Sequence, residues 1–224
     1  MELIASGRDA DVWALDAERV LRRYRNGRDM DREASVMRHA AAHGYPVPWV
    51  YGTEPGAMVL ERLYGPTMLA SLLAGSMAAA AAGTMLGDLL VRLGSIPAPA
   101  PAGGSLLHLD LHPDNVVLAD GGPVVIDWSN ATSGPSTLDV ATSALILAEV
   151  AVGGLVDVPA ATARELLQAL LRVTGPADPV QLQAAIAART ANPTLRAAEK
   201  SNLPTPPPSS STPPATTGRP APVS

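Results

Sequence analysis

The stretch that decides the reading is Leu106 to Ala131, LLHLDLHPDNVVLADGGPVVIDWSNA. Two apolar runs, Val116-Val117-Leu118 and Val124-Val125-Ile126, flank an Asp-Gly-Gly turn at Asp120 to Gly122, which predicts a β-hairpin. Such a hairpin brings Asn115, at the start of its first strand, close to Asp127, at the end of its second. Two side-chain oxygens meeting there suit Mg²⁺, a hard cation held by a few protein oxygens together with substrate phosphates. Asp110 lies five positions before Asn115, in a loop that His108 can fix by hydrogen bonding to its backbone. An aspartate so placed can accept a proton from a substrate hydroxyl. His112 and Asp114 complete a row of six polar side chains.

Upstream, the sequence reads as strands separated by polar Gly/Asp turns: Glu2 to Ala5, Val12 to Leu15 and Arg19 to Tyr24. Asp29 to His43 has helical periodicity, with Asp29 or Asp31 near its start and Gly44 past its end. On that helix Glu33 shares a face with Val36, Met37 and Ala40, so its carboxylate needs a partner or a watery edge. Two shorter strands follow, Trp49 to Tyr51 and Ala57 to Leu60. After Glu61-Arg62-Leu63-Tyr64-Gly65 the pattern turns helical. This gives two unequal lobes, 1–62 and 63–200, with a hinge at 61–65. In the second lobe Leu138 to Val152 is apolar nearly all round and reads as a buried helix, followed by helices over about Pro159 to Thr174 and Pro179 to Ala191. Residues 201–224 are dominated by Pro, Ser and Thr and read as a disordered tail.

With 47% hydrophobic and 17% charged residues, the 224-residue chain has the composition of a soluble globular protein with a sizeable core. A net charge of -5 argues against partners rich in phosphate backbone or anionic lipid, so neither nucleic acid nor membrane is expected. The absence of cysteine removes disulfides, thiol nucleophiles and cysteine metal sites, and suits a cytoplasmic protein. No apolar stretch near the amino terminus is long enough for a signal peptide. The uncharged stretch Thr67 to Gly87 is long enough to span a bilayer, but it is mostly Ala, Gly, Ser and Thr. Gly75-Ser76 divides it, and the preferred reading is a short helix, a turn and a second helix reaching about Ser95.

The segment His108-Leu109-Asp110-Leu111-His112-Pro113-Asp114-Asn115, with Ile126-Asp127-Trp128 downstream, matches the order and spacing of the protein-kinase catalytic loop and its metal-binding Asp. More closely, it resembles the aminoglycoside phosphotransferase and choline-kinase-like family of small-molecule kinases, whose loop reads like H-G-D-L-H-P-G-N with a downstream I-D-W or I-D-F. The resemblance runs over residues 2 to about 175. It implies an α+β, two-lobed protein-kinase-like fold with a small antiparallel-sheet N-lobe and a mainly helical C-lobe. It also implies Mg²⁺-dependent transfer of a phosphoryl group from ATP or GTP to a hydroxyl of a small molecule.

The resemblance assigns Asp110 as catalytic base, His108 as support of the loop, and Asn115 and Asp127 as Mg²⁺ ligands. His112 takes the position of a phosphate-contacting Lys, and Asp139 that of an Asp bracing the loop. Ser6 and Gly7 fall where a phosphate-covering loop belongs, although no G-x-G-x-x-G is present. Arg22, or in the other register Arg23, stands for the phosphate-binding Lys, with Glu33 as its ion-pair partner. Glu61 to Leu63 becomes the segment whose backbone meets the base.

Two alternatives come from other classes. A pseudokinase that binds nucleotide and turns over little fits Arg22 and the poor glycine loop, while Asp110, Asn115 and Asp127 together speak against it. A metal-dependent hydrolase would use His108-x-Asp110-x-His112 as a strand of ligands, but the other two histidines, His39 and His43, fall on a helix. The helical lobe is short for the family, whose acceptor pocket is built from helices after the catalytic loop.

Overall fold

A computed structural model describes residues 1–7, 10–25, 30–153 and 158–192. Alternating side chains in the first 61 residues build a five-stranded sheet in the order β1-β2-β3-β5-β4. Its strands are β1 (Glu2–Ser6), β2 (Ala10–Ala14), β3 (Arg19–Tyr24), β4 (Val50–Glu54) and β5 (Ala57–Glu61), and every neighbouring pair is antiparallel. Helix α1 (Met30–Ala42) connects β3 to β4 and packs against β4 and β5. Its buried face is Glu33, Ala34, Met37 and Ala40, and Gly44 ends it at a φ of 73°.

The register of β3 fixes which cation points inward. Val20 pairs with Leu60 and Arg22 with Met58, so Val20, Arg22 and Tyr24 share the buried face while Arg23 is exposed on the other. β2 spans Ala10–Ala14 where Val12 to Leu15 was expected, and β4 spans Val50–Glu54 where Trp49 to Tyr51 was expected.

Beyond β5 come α2 (Met68–Leu73), α3 (Ala79–Gly94), β6 (Ser105–Leu107), the expected hairpin β7 (Val116–Ala119) and β8 (Gly122–Val125), and β9 (Thr132–Gly134). Helices α4 (Ser136–Gly153), α5 (Ala160–Thr174) and α6 (Pro179–Ala191) follow. β6 and β9 form a two-stranded antiparallel ladder too short to leave a sequence pattern.

The Ala/Gly composition of the 67–87 stretch has a packing explanation. A Cβ added at Gly83 would sit 2.2 Å from the carbonyl oxygen of Leu166, and one at Gly87 would sit 2.7 Å from the Val173 side chain. The small residues therefore let α3 lie directly against α5. Among the described residues one helix, α4, is long and apolar enough to cross a bilayer, and its middle is buried inside the protein.

The connection from sheet to helices is pinned. The N–H of Leu118 donates to the carbonyl of Pro66 at 2.9 Å, and Thr67 bridges to Val117. A Cβ at Gly65 would meet the Leu118 carbonyl oxygen at 2.1 Å, so only glycine fits this crossing. One continuous apolar cluster joins the two halves, including Val20, Met37 and Leu60 from the sheet side and Met68, Leu86, Leu111, Trp128 and Leu170 from the helical side. The expected tail at 201–224 lies outside the described residues, as do Arg8 and Asp9 of the expected phosphate-covering loop.

Candidate active site

The segment leaving β6 is shaped by a buried carboxylate. Asp139, in the first turn of α4 and 3% exposed, accepts the N–H of His108 at 2.7 Å on one oxygen and that of Leu109 at 2.8 Å on the other. These bonds hold Leu109 at a φ of 59°, a conformation that side chains with a Cβ avoid. Burial drives the Asp139 pKa up to about 6, with the two N–H donors pulling the other way.

His108 is fully buried, edge-on to the Trp128 ring at 4.9 Å. Its Nδ1 accepts the N–H of Asp110 at 3.2 Å, which puts the ring proton on Nε2, where it is donated to the carbonyl of Ile126 at 3.0 Å. Burial lowers its pKa to about 4, so the ring is neutral at pH 7. One imidazole thus ties the backbone of Asp110 to the residue preceding Asp127.

Asn115 donates through Nδ2 to the carbonyl of Asp110 at 2.8 Å, which leaves Oδ1 as the acceptor of that side chain. His112 receives the N–H of Asp114 on Nδ1 at 3.3 Å, and its Nε2 lies 3.2 Å from Asn115 Nδ2 and 3.9 Å from Asp110 Oδ1. Asp110, His112 and Asn115 are therefore neighbours.

From the sheet, Arg22 reaches across to this loop. One terminal nitrogen donates to Glu33 Oε1 at 2.9 Å and the other to Asp127 Oδ1 at 2.6 Å, although 105 positions separate Arg22 from Asp127. Burial works to raise the pKa of Asp127. The Arg22 charge and hydrogen bond, helped by Ser129, outweigh it and hold the carboxylate below its usual range. Asp127 also has a left-handed backbone, at a φ of 62°.

A cavity of about 510 Å³ lies between the sheet and the loop, and Ser6, Gly7, Arg22, Glu61, Leu63, Asn115 and Asp127 all line it. Its other walls include the apolar side chains of Val12, Val20, Leu60, Val117 and Ile126. Glu33 stands behind Arg22. The Ser6 hydroxyl donates to Asp11 at 2.6 Å and accepts from Arg25 at 2.8 Å. Glu61 exchanges backbone and side-chain bonds with the main chain of Trp49. The row His108-x-Asp110-x-His112 does not converge as a set of metal ligands, because both nitrogens of His108 are engaged with backbone in the core. Among the described residues no group of three or more His, Asp or Glu is arranged to hold a metal ion.

A model of the family described as phosphotransferase enzyme family (APH) matches residues 1–105 and 98–184. The chain belongs to this family. As a member of the phosphotransferase family it is a small-molecule phosphotransferase that acts on hydroxyl groups. Solved structures agree in fold. The streptomycin–ATP ternary complex of APH(2")-IIa is 14% identical, with a TM-score of 0.55, covering 84% of this chain and 82% of that one. The macrolide 2'-phosphotransferase MphH from Brachybacterium faecium is 19% identical, with a TM-score of 0.50, covering 88% and 89%. ADP-bound APH(2'')-Ib is 12% identical, with a TM-score of 0.54, over 84% and 82%. No curated protein sequence matches the chain at a significant level.

Within this phosphotransferase fold, three contacts had no counterpart in the sequence reading. Tyr24 donates its hydroxyl to Glu33 Oε2 at 2.6 Å. Thr67 donates to Asp114 Oδ1 at 3.0 Å on the cavity wall. Arg32 donates to the carbonyl of Ala131 at 2.8 Å, joining α1 to the segment after Asp127. Strand alternation signals the first, since Tyr24 lies two residues beyond Arg22; the other two join distant segments through side chains with no local pattern.

Proposed function

We propose that the protein transfers the γ-phosphoryl group of ATP or GTP to a hydroxyl of a small molecule, with Mg²⁺ held by Asn115 and Asp127. The observation that carries this reading is the Arg22 guanidinium, shared between Glu33 and Asp127 in a cavity that Asn115 also lines. The donor set suits the metal. Asn115 keeps an amide oxygen for it, Asp127 is held ionised by Arg22, and such hard oxygens bind Mg²⁺ alongside phosphates and water. When bound, Mg²⁺ neutralises charge on the phosphate oxygens.

The chain's own residues supply the rest. Asp110 takes the proton of the acceptor hydroxyl as its oxygen bonds to the γ-phosphorus. The bond from that phosphorus to the β–γ bridging oxygen breaks, and its electron pair leaves on the nucleoside diphosphate. His108 holds the Asp110 N–H and Asp139 the N–H groups of the two residues before it, so the Asp110 carboxylate meets the acceptor without reorganising. His112, beside Asp110, and Arg22 meet phosphate charge; Ser6 and Gly7 cover the phosphates. Glu61 to Leu63 present backbone to the base against the apolar walls at Val20, Leu60 and Val117.

The acceptor is an aminoglycoside-like, choline-like or other hydroxylated metabolite. The complexes of APH(2")-IIa with streptomycin and with gentamicin support placing antibiotics in the first panel tested. A cytoplasmic location, where nucleoside triphosphates are at hand, belongs to the same reading.

Mass spectrometry of a dephosphorylated metabolite and antibiotic pool incubated with MgATP, then MgGTP, tests the reaction, with Asp110→Asn as control. New phosphomonoesters made by the wild type, and at least about a hundredfold fewer by Asp110→Asn, are expected. Nucleotide binding to both proteins without any product would favour a pseudokinase.

A further inference from the structure

Glu33 has two carboxylate oxygens, and they are held by different residues. Oε1 accepts from Arg22 and Oε2 accepts from the Tyr24 hydroxyl at 2.6 Å. Tyr24 and Arg22 lie two residues apart on the inward face of β3, and the Arg22 guanidinium rests 4.6 Å from the centre of the Tyr24 ring. Tyr24 is 6% exposed and Glu33 5%, so water does not compete for these bonds. Burial, and beyond it the Glu33 charge, keeps the Tyr24 phenol protonated and hence a donor.

An arginine next to a carboxylate ordinarily engages both oxygens with two parallel N–H bonds. In that arrangement both terminal nitrogens, or one of them and Nε, would be spent on Glu33. Here Tyr24 occupies the second oxygen. Arg22 meets Glu33 through Oε1 alone, and the other terminal nitrogen of Arg22 is turned to Asp127 at 2.6 Å, on the cavity wall. A lysine has a single nitrogen and no such fork to divide, so the need arises with arginine.

We infer that Tyr24 is a positioning residue for nucleotide binding: by holding Glu33 Oε2 it opposes two-pronged capture of Arg22 by Glu33, and so keeps the other arm of Arg22 directed at Asp127 on the cavity wall, where the phosphates are proposed to bind. This rests on the reading of the cavity as a nucleotide site.

The test is a double-mutant cycle on the full chain, reading the dissociation constant of MgATP by calorimetry alongside the melting temperature. Tyr24→Phe removes the hydroxyl and keeps the ring. It is expected to weaken MgATP binding by about tenfold, the scale of one hydrogen bond to a charged group. Because Tyr24 acts through Glu33, the same change in a Glu33→Ala background is expected to alter binding by less than about twofold. Equal MgATP affinity in wild type and Tyr24→Phe overturns the inference, as does an undiminished loss in the Glu33→Ala background. A loss of affinity only in proportion to lost folded protein, read from the melting curves, overturns it too. Failure of the wild type to bind nucleotide would instead bring down the reading of the cavity.

Discussion

The loop from His108 to Asp127 and the layer formed by α3, α4, α5 and α6 are held by opposite means. The loop contains the two non-glycine residues with positive φ among the described residues, Leu109 and Asp127, and is kept in place by buried polar groups, Asp139 and His108. The helical layer has ordinary backbone and close apolar contact through Gly83, Gly87 and many alanines, and among the described residues it has one buried ion pair, Glu149 to Arg189. Conformational strain is thus gathered in the loop proposed to carry the chemistry, and the layer beneath supplies the packing that sustains it.

The largest expected effect lies in the helical layer. Arg189 engages both oxygens of Glu149, at 2.8 and 2.6 Å, and Glu149 is 2% exposed. Arg189→Met leaves that carboxylate buried without its partner, and is expected to cost about 3 kcal/mol in denaturant unfolding. A double change to Met at both positions should recover most of it. A single variant as stable as wild type would mean that the layer does not depend on its one buried charge pair.

Next is Gly83→Ala, whose new methyl would collide with the Leu166 backbone. A loss of about 2 kcal/mol is expected, since backbone, unlike a flexible side chain, yields only by separating α3 from α5. If the melting temperature held, the claim that the layer is close-packed through glycine would fail.

In the loop the sign reverses. Leu109→Gly relieves the left-handed conformation, and should stabilise the folded state by about 1 kcal/mol after allowing for the greater freedom of glycine in the unfolded chain. Destabilisation would show instead that the leucine side chain is worth more than its strain costs.

The last test concerns pH. His108 has a folded pKa of about 4 against 6.5 for a free histidine, so its contribution to stability is present above pH about 6.5 and is lost as pH falls towards 4. Asp139 has a folded pKa of about 6 against 3.8, so its contribution is present below pH about 4 and is lost as pH rises through 6. The two slopes oppose one another over the same window. Asp139→Asn removes one of them, and its melting temperature should fall more steeply than that of wild type from pH about 6.5 to 4.5. Parallel curves would show that the two groups do not offset each other.

Much of this was legible in the sequence because it is local. The hairpin at 116–125 follows from its turn, α6 from the helical pattern over Pro179 to Ala191, and the inward Glu33 from helical spacing. The choice between Arg22 and Arg23 stayed open, since both sit on a strand and only pairing with β5 shows which face is inside. Arg32 and the Thr67–Asp114 contact leave no local pattern because their partners arrive from other elements, whereas Tyr24 alternates with Arg22 on the inward face of β3. The strands β6 and β9 have three residues each, too few for alternation to register.

The apolar cluster that runs unbroken from Val20 and Leu60 to Leu86 and Leu170 also bears on how such a protein can change over generations. Neither half is a cassette. A sheet half borrowed from a distant homologue would bring its own underside to a helical surface shaped for this one, so inheritance of either half is tied to the other. Substitutions are then easiest to accept at cavity-lining positions outside that cluster, such as Ser6, Glu61 and Arg62.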